Sequence, residues 1–487
     1  MTQKFVKTFL GSKETAKAIA QRTQRSVPAY KSFLQKNNLT GEPQFEDLPY
    51  LDKNSYILAY PFSELLADDS EEAFEIFRSS GSSGNPFYWL GMKSVSQSYP
   101  AVMKTFLEST FAIHQKKTLA IVGLSLSSWM GGEHLSWVLK NVALNTPYPF
   151  VVFSPGKQLE EIVQMISHMD SFVEQIIVFI VPSAIAHFHL QAKQLNQSLP
   201  WEKIKYVVTG EPFPESLRTS LQNNAEVEEA TPFMFSIYGS CDTGSLGVES
   251  LATVTLRKLL YRHPNLANSL GMKTPVPHFF HFIDRNAFIE TVDGNLCITR
   301  WQGIPLVRYI LFDQVALYGW KELKQAVLSS QLLNLQDESL VNILANTNDE
   351  YPDLIAVTGR SDKCLIIQGT NFTEYMLDAA VKSPELGRYL TGMYHAQISH
   401  KEDKHFLQFD LETHQDVNVD ETTNISIYYH LVQILGQVQP EFLEDWKSVY
   451  SHWDNDPQNR ILQLNFISYP GISHLMEKNI KYRSITN

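Results

Sequence analysis

A doubly wound α/β fold is the architecture this sequence predicts, and three patterns predict it. Between residues 118 and 209, apolar runs such as Leu119-Ala120-Ile121-Val122, Ile176-Ile177-Val178-Phe179-Ile180-Val181 and Tyr206-Val207-Val208 alternate with amphipathic stretches of helical length. A strand covered on both faces reads as an unbroken apolar run, and parallel neighbours need a crossover helix between them. Beyond residue 277 the runs change to alternating strands joined by polar turns. Residues 360–487 mix strand-like and helical patterns, which predicts a small α+β domain. The chain is thus read as α/β, with a large multi-sheet N-terminal domain over 1–359 and a small α+β C-terminal domain over 360–487.

Taken in order, residues 3–36 read as helical, with a break at Ser26-Val27-Pro28-Ala29-Tyr30. Leu48-Pro49-Tyr50-Leu51-Asp52-Lys53 is a turn into another short helix, so 1–70 form a helical cap. Helices are expected at about 96–115, at 157–169 and at 183–197, and Gly131-Gly132-Glu133-His134 opens one more. Phe150-Val151-Val152-Phe153 is a further strand. Residues 277–358 are expected to form a smaller, partly closed sheet, and Asn424-Ile425-Ser426-Ile427-Tyr428-Tyr429 reads as a strand.

Ligands of a doubly wound sheet lie beyond the carboxyl ends of its strands. There, Gly210-Glu211-Pro212 follows one strand, and Tyr238-Gly239-Ser240-Cys241-Asp242-Thr243-Gly244 follows another, Phe233-Met234-Phe235-Ser236-Ile237. A buried strand that runs into a small-residue loop bearing a carboxylate is a site pattern. The competing reading is a turn with a helix-capping aspartate.

The most distinctive local chemistry lies in Ser79-Ser80-Gly81-Ser82-Ser83-Gly84-Asn85-Pro86, which follows Glu75-Ile76-Phe77-Arg78. Glycines let successive N–H groups turn inward around an anion, and serine hydroxyls add donors without bulk. The stretch has the makings of a phosphate loop, although it contains no lysine of the Gly-Lys-Ser/Thr kind. A flexible linker is the rival reading. Against it, apolar residues resume at once in Phe87-Tyr88-Trp89-Leu90.

Composition narrows the function. The chain has 487 residues, 44% hydrophobic and 19% charged, as expected of a globular protein with more than one core. A net charge of -12 without a basic run argues against nucleic acid as partner. Cys241, Cys297 and Cys364 are the three cysteines, too widely spaced for a disulfide scaffold or zinc cluster, so a reducing, cytoplasmic setting is expected. The first twenty residues lack the apolar core of a secretory leader, and the run at 176–181 is too short to span a bilayer. His134, His187, His189, His278 and His281 show no metal-ligand spacing, and no structural zinc is expected.

The ordered set of loops resembles the adenylate-forming enzymes, and among them the phenylacetate–CoA ligase branch. The phosphate loop of that superfamily, Ser/Thr-Ser-Gly-Thr-Thr-Gly-x-Pro, is matched by Ser79 to Pro86. The branch's Gly-Glu-Pro is Gly210-Glu211-Pro212, and its Tyr-Gly-x-Thr-Glu is Tyr238-Gly239-Ser240-Cys241-Asp242. Pro305-Leu306-Val307-Arg308-Tyr309 with Phe312-Asp313 matches a further motif, and Gly359-Arg360-Ser361-Asp362 with Gly369 matches the hinge. Ser26-Val27-Pro28-Ala29-Tyr30 is similar to the branch's opening.

The resemblance implies a two-step ligase. A carboxylate attacks the α-phosphorus of ATP, giving an acyl adenylate and pyrophosphate, and a nucleophile, most simply coenzyme A, then displaces AMP. It also implies roles. Ser79, Ser80, Gly81, Ser82, Ser83 and Gly84 would hold the β,γ-phosphates, and Asp242 would help hold Mg2+. Gly239 and Ser240 would contact the nucleotide, Tyr238 would stack on adenine, and Gly210, Glu211 and Pro212 would border it. Asp313 would accept from the ribose hydroxyls, and Arg360 would reach ribose or phosphate. Trp129 and Gly131 would border the acyl group. Asp362 would be the pivot of a mobile C-terminal domain. Lys478 or Lys481 would be the catalytic lysine, with Arg483 near phosphate.

The match has departures. Asp242 replaces glutamate, Cys241 replaces threonine, Phe312 fills the place of a glycine, Phe87 replaces a basic residue, and the Gly-Lys pair near the end is missing. The expected substrate is a small carboxylic acid, with an amine, amino acid or carrier-protein thiol as alternative acceptors. A degenerate adenylation fold acting as a nucleotide-binding or interaction module is the remaining alternative. Aromatic richness points weakly to an aryl or medium apolar acid, and a monomer or homodimer is expected.

Overall fold

A computed structural model describes residues 5–78, 87–128, 130–210, 213–272, 276–361, 364–367, 370–401, 404–439, 442–443, 446–447, 451, 454, 456–478 and 484–486. The expected N-terminal helix does not begin near residue 3. Two short strands, β1 (Val6–Lys7) and β2 (Phe9–Leu10), come first. Gly11 then turns the chain at φ +88°, where a Cβ would overlap the Ala287 carbonyl oxygen. Ser12 caps the helix Lys13–Ser26 by accepting from Thr15 N at 3.3 Å. Val27 breaks the helix in extended conformation, and Pro28 opens the helix Pro28–Lys36. β3 (Ala73–Arg78) and β4 (Tyr88–Met92) pair antiparallel, with Arg78 opposite Tyr88, so the Ser/Gly stretch connects the two arms of a hairpin.

The parallel sheet forms where the apolar runs predict it. β5 (Thr118–Val122), β6 (Phe150–Phe153), β7 (Gln175–Ile180), β8 (Ile204–Thr209) and β9 (Met234–Ser240) lie in the order β6-β5-β7-β8-β9, all parallel. Alternate side chains serve opposite cores. Leu119, Ile121, Ile176, Val178, Ile204 and Tyr206 meet the helices Leu159–Met169 and Pro182–Gln194. Ala120, Val122, Ile177, Phe179 and Val207 face Phe106, Leu139 and Val254 on the other side.

The antiparallel strands are present as well, but they continue the same sheet. β10 (Gly244–Val248), β11 (His278–Phe282), β12 (Ala287–Val292), β13 (Asn295–Arg300), β14 (Leu306–Tyr318) and β15 (Leu354–Arg360) extend it to 13 strands. The order from the far edge is β2-β12-β13-β14-β15-β11-β10-β9, with β1 beside β14.

After the hairpin β16 (Cys364–Ile367) and β17 (Thr370–Thr373), the C-terminal part packs helices on a four-stranded sheet. Its strands are β18 (Leu390–Lys401), β19 (Lys404–Thr413), β20 (Leu462–Ser468) and β21 (Ile485–Thr486), in the order β20-β19-β18-β21. The strand expected at 424–429 is instead part of the helix Glu421–Val438. Asp420 caps it by accepting from Thr423 N at 2.8 Å, and Ile427, Tyr428, Leu431, Val432 and Leu435 bury one helical face. Among the described residues, no helix is long and apolar enough to cross a membrane.

Candidate active site

The chain beyond Ile237 does not loop away. β9 runs on through Ser240, turns at Cys241-Asp242-Thr243 and returns as β10. Ser240 Oγ accepts from Thr243 N at 3.2 Å and closes the turn. The next helix begins only at Leu251 with Ser250 as its cap, so Asp242 is a hairpin residue and caps no helix. Gly239 allows the tight return: a Cβ there would overlap the Gly244 carbonyl oxygen and lie 2.8 Å from Ser245 Cα.

Two tyrosine–carboxylate bonds join this hairpin to β14. The Tyr238 hydroxyl donates to Asp313 Oδ2 at 2.5 Å, and the Tyr309 hydroxyl donates to Asp242 Oδ2 at 2.8 Å. Gln302 Nε2 donates to the Asp242 carbonyl at 2.7 Å. The Tyr238 ring stacks on Phe280 with centroids 5.2 Å apart. Asp313 is buried and stands opposite Arg360 in the β14–β15 register. Phe312 takes φ +60°, a left-handed conformation that costs a non-glycine residue about 1–2 kcal/mol. That accounts for a glycine at the equivalent place in the resembling motif. Arg308, by contrast, points away from this constellation. Its guanidinium pairs with Glu290 at 2.9 Å and donates to the carbonyls of Glu46 and Leu48, tying down the N-terminal segment.

A buried charge cluster braces β9 from behind. Glu249 accepts from Ser236 N and from Arg218 Nη2, each at 2.8 Å. Glu215 faces Arg218 Nε at 3.5 Å and Arg257 Nη1 at 3.2 Å. Burial, reinforced by the charges of Arg257 and Arg218, pushes His278 well below the usual imidazole range. Tyr375, on the helix Glu374–Val381, donates to the Val276 carbonyl at 2.6 Å and accepts from Arg257 Nη2 at 3.2 Å.

Of the predicted residues, the structure brings Tyr238, Gly239, Ser240, Asp242 and Asp313 together. Gly210 follows β8 at φ +90°, and Gly131 lies in the first turn of the helix Met130–Leu144. Lys478 closes the helix Gly471–Lys478. Ser79 to Gly84, Glu211, Pro212, Trp129, Asp362, Lys481 and Arg483 lie outside the described residues, as does the Arg360 side chain. Sequence reasoning gave Tyr309 no role of its own. It also missed Glu75, which contacts His134 Nδ1 at 2.8 Å, and Arg300, which donates to the Tyr99 hydroxyl at 2.9 Å. Such pairs are set by the packing of helices against strands and carry no local signal.

Among the described residues, no group of three or more His, Cys, Asp and Glu could hold a metal ion. Mg2+ commonly takes one or two carboxylates and completes its octahedron with water and phosphate oxygens. Asp242, half-buried with one oxygen held by Tyr309, fits that pattern. It does not fit an all-protein cage.

Neither a scan against family models nor a search of curated proteins matches this chain. Solved structures do. A 2-hydroxyisobutyryl-CoA ligase in the postadenylation state, in complex with R3-HIB-AMP, superposes with a TM-score of 0.60 at 13% identity, covering 97% of this chain and 88% of that one. The acyl acid amido synthetase AtGH3.15, in complex with 2,4-DB, gives a TM-score of 0.58 at 11% identity, covering 97% and 90%. The chain has the fold of these adenylate-forming ligases. The likeness extends to a CoA ligase and an amido synthetase alike, and does not single out the phenylacetate branch. The hairpin constellation therefore sits within the fold shared with these two enzymes, on the strands that carry the Tyr-Gly and Phe-Asp motifs.

Proposed function

We propose that this protein activates a carboxylic acid as its acyl adenylate, releasing pyrophosphate from ATP, and then transfers the acyl group, most simply to coenzyme A. The carrying observation is the convergence of Tyr238 and Asp242 on β9–β10 with Tyr309 and Asp313 on β14. Within this fold, that convergence gathers an aromatic ring and two carboxylates where a nucleotide and its cation would be held.

The residues divide the work. Ser79 to Gly84 cradle the β,γ-phosphates through backbone N–H groups and hydroxyls. Asp242 would help hold Mg2+, whose charge would offset that of the departing pyrophosphate. Asp313 accepts from the ribose hydroxyls, and the Tyr238 ring lies along the base. Tyr309 holds the Asp242 carboxylate in one orientation. Lys478 or Lys481 supplies a point charge at the α-phosphate, and rotation at Asp362 exchanges adenylation for transfer.

Acid-dependent ATP–pyrophosphate exchange tests this reading, with wild type beside Lys478→Ala and Lys481→Ala. Exchange with one acid class, lost in one of the two variants, supports it and picks the lysine. A folded, ATP-binding protein that exchanges with no acid across aryl, fatty, hydroxy and amino acids overturns it in favour of a nucleotide-binding module. The similarity to an amido synthetase keeps an amine as the second acceptor. Thioester against amide product, from matched incubations with coenzyme A and amines, separates the two.

A further inference from the structure

Glu412 is a buried acid to which the mechanism above gives no task. It stands next to last in β19 and is 0% exposed. An acidic side chain is rarely buried to that degree unless its oxygens are hydrogen-bonded. Here both are. Oε1 accepts from Ile472 N at 2.9 Å and from Ser473 N at 2.7 Å. The hydroxyls of Ser473 and Thr391 donate to Oε2 at 2.6 and 2.8 Å. The two backbone bonds hold whether or not the acid is ionised, because an N–H only donates.

These are the bonds that the start of a helix needs. The first N–H groups of a helix have no partner within it. In the helix Gly471–Lys478, His474 N donates to the Pro470 carbonyl at 2.7 Å, and the two N–H groups before it go to Glu412. A side chain at the residue before the helix usually does this work, but that residue is Pro470, which has no oxygen to offer. The cap comes instead from 60 residues upstream. It fixes the helix start to β19 and, through Thr391, to β18.

The same helix ends at Lys478, five residues and about 8 Å beyond Ser473. A charge that acts on a transition state works only when its support holds it in place to a fraction of an ångström. We propose that Glu412 is a positioning residue for Lys478: by pinning the first turn of this helix, it sets where the last turn carries the lysine during adenylation. The proposal rests on the ligase reading, and of the two candidate lysines it commits to Lys478.

The test compares Glu412→Met and Glu412→Gln with wild type in the full chain, by acid-dependent pyrophosphate exchange and by hydrogen–deuterium exchange. Methionine keeps the length and removes the acceptor, whereas glutamine keeps a carbonyl oxygen for Ile472 N and Ser473 N. Glu412→Met should lower kcat about ten-fold or more, with the KM values for ATP and acid within about two-fold of wild type. Its Ile472 and Ser473 amides should exchange about ten-fold faster or more, while β18 and β19 keep their protection. Glu412→Gln should restore kcat to within about three-fold of wild type. If Glu412→Met does not fold, Glu412→Asp takes its place. It draws the carboxyl back by one methylene and should lower kcat about three-fold or more.

Wild-type kcat in the methionine or aspartate variant, a loss confined to KM, unchanged protection of the two amides, or a glutamine variant as impaired as the methionine one would overturn the proposal and leave Glu412 a role in folding alone. A Lys478→Ala protein that exchanges normally removes this role and leaves the ligase to Lys481. A wild-type protein that exchanges with no acid removes the ligase reading, and this role with it.

Discussion

The Tyr238 hydroxyl donates a 2.5 Å hydrogen bond to Asp313 Oδ2, tying the last parallel strand to the long antiparallel strand β14. Hydrogen bonds to an ionised acceptor are short and about twice as strong as neutral ones. This one fixes the orientation of the carboxylate that the proposed function assigns to the ribose. Tyr238→Phe keeps the ring and removes the proton. Loss of about 1.5 kcal/mol should raise the KM for ATP roughly ten-fold, with kcat changed much less. Asp313→Ala should lower kcat/KM for ATP by about a hundred-fold or more. Steady-state pyrophosphate exchange reads both, and an Asp313→Ala enzyme with normal kcat/KM would remove the ribose role.

Gly239→Ala should be far more damaging than its single methyl implies. The added Cβ meets backbone, the Gly244 carbonyl and Ser245 Cα, which cannot swing aside as a side chain can. The hairpin must open, and Asp242 moves with it. A stability loss of about 1–3 kcal/mol in urea denaturation is expected, together with loss of exchange activity. Gly131→Ala is the control, because a Cβ there meets nothing within 4 Å. It should unfold at the wild-type urea concentration.

The reading from sequence succeeded where one local pattern decides the outcome. Runs such as 176–180 are buried on both faces, so no alternative periodicity competes. It failed at 424–429, where β-branched and aromatic residues dominate a six-residue window. The helical repeat of Ile427, Tyr428, Leu431, Val432 and Leu435 emerges only over the 18 residues of the helix. In the site, motif order was enough to nominate Tyr238, Asp242 and Asp313. The Tyr309–Asp242 bond spans 67 residues and depends on how β10, β11, β15 and β14 stack between them, which no window of sequence contains.

The cluster behind β9 should carry a large share of that strand's order. Arg218, Glu215, Glu249 and Arg257 are all at most 2% exposed, with two charges of each sign. Removing one member leaves a buried charge uncompensated, which typically costs about 3–5 kcal/mol. Glu249→Gln should approach that loss, since Arg218 loses its counter-charge and Ser236 N its carboxylate partner. Ser236 lies two residues before Tyr238, so exchange activity should fall in parallel. Chemical denaturation of this variant beside Arg218→Met would separate charge loss from packing loss. A Glu249→Gln protein within about 1 kcal/mol of wild type would contradict the assignment.

Acid should weaken the fold before it touches most carboxylates, because two histidines, the buried His281 and the half-buried His189, resist protonation. Burial lowers His189 and His281 from 6.5 to about 4. His281 is held as a neutral ring: Nδ1 donates to the Pro352 carbonyl at 2.7 Å and Nε2 accepts from Ser250 Oγ at 3.0 Å. His189 Nε2 contacts the buried Tyr206 hydroxyl at 2.9 Å. Between pH 6.5 and 4 the unfolded chain takes up protons on these rings that the folded chain does not. Their contribution is complete above pH 6.5 and is lost as the pH falls through 4. Each ring would account for at most about 3.5 kcal/mol across that window. His281→Gln keeps a donor and an acceptor but cannot titrate. Urea midpoints from pH 7.5 to 4 should therefore fall less steeply for His281→Gln than for wild type, even if the variant starts lower. Parallel curves would show that His281 takes no part in the acid response.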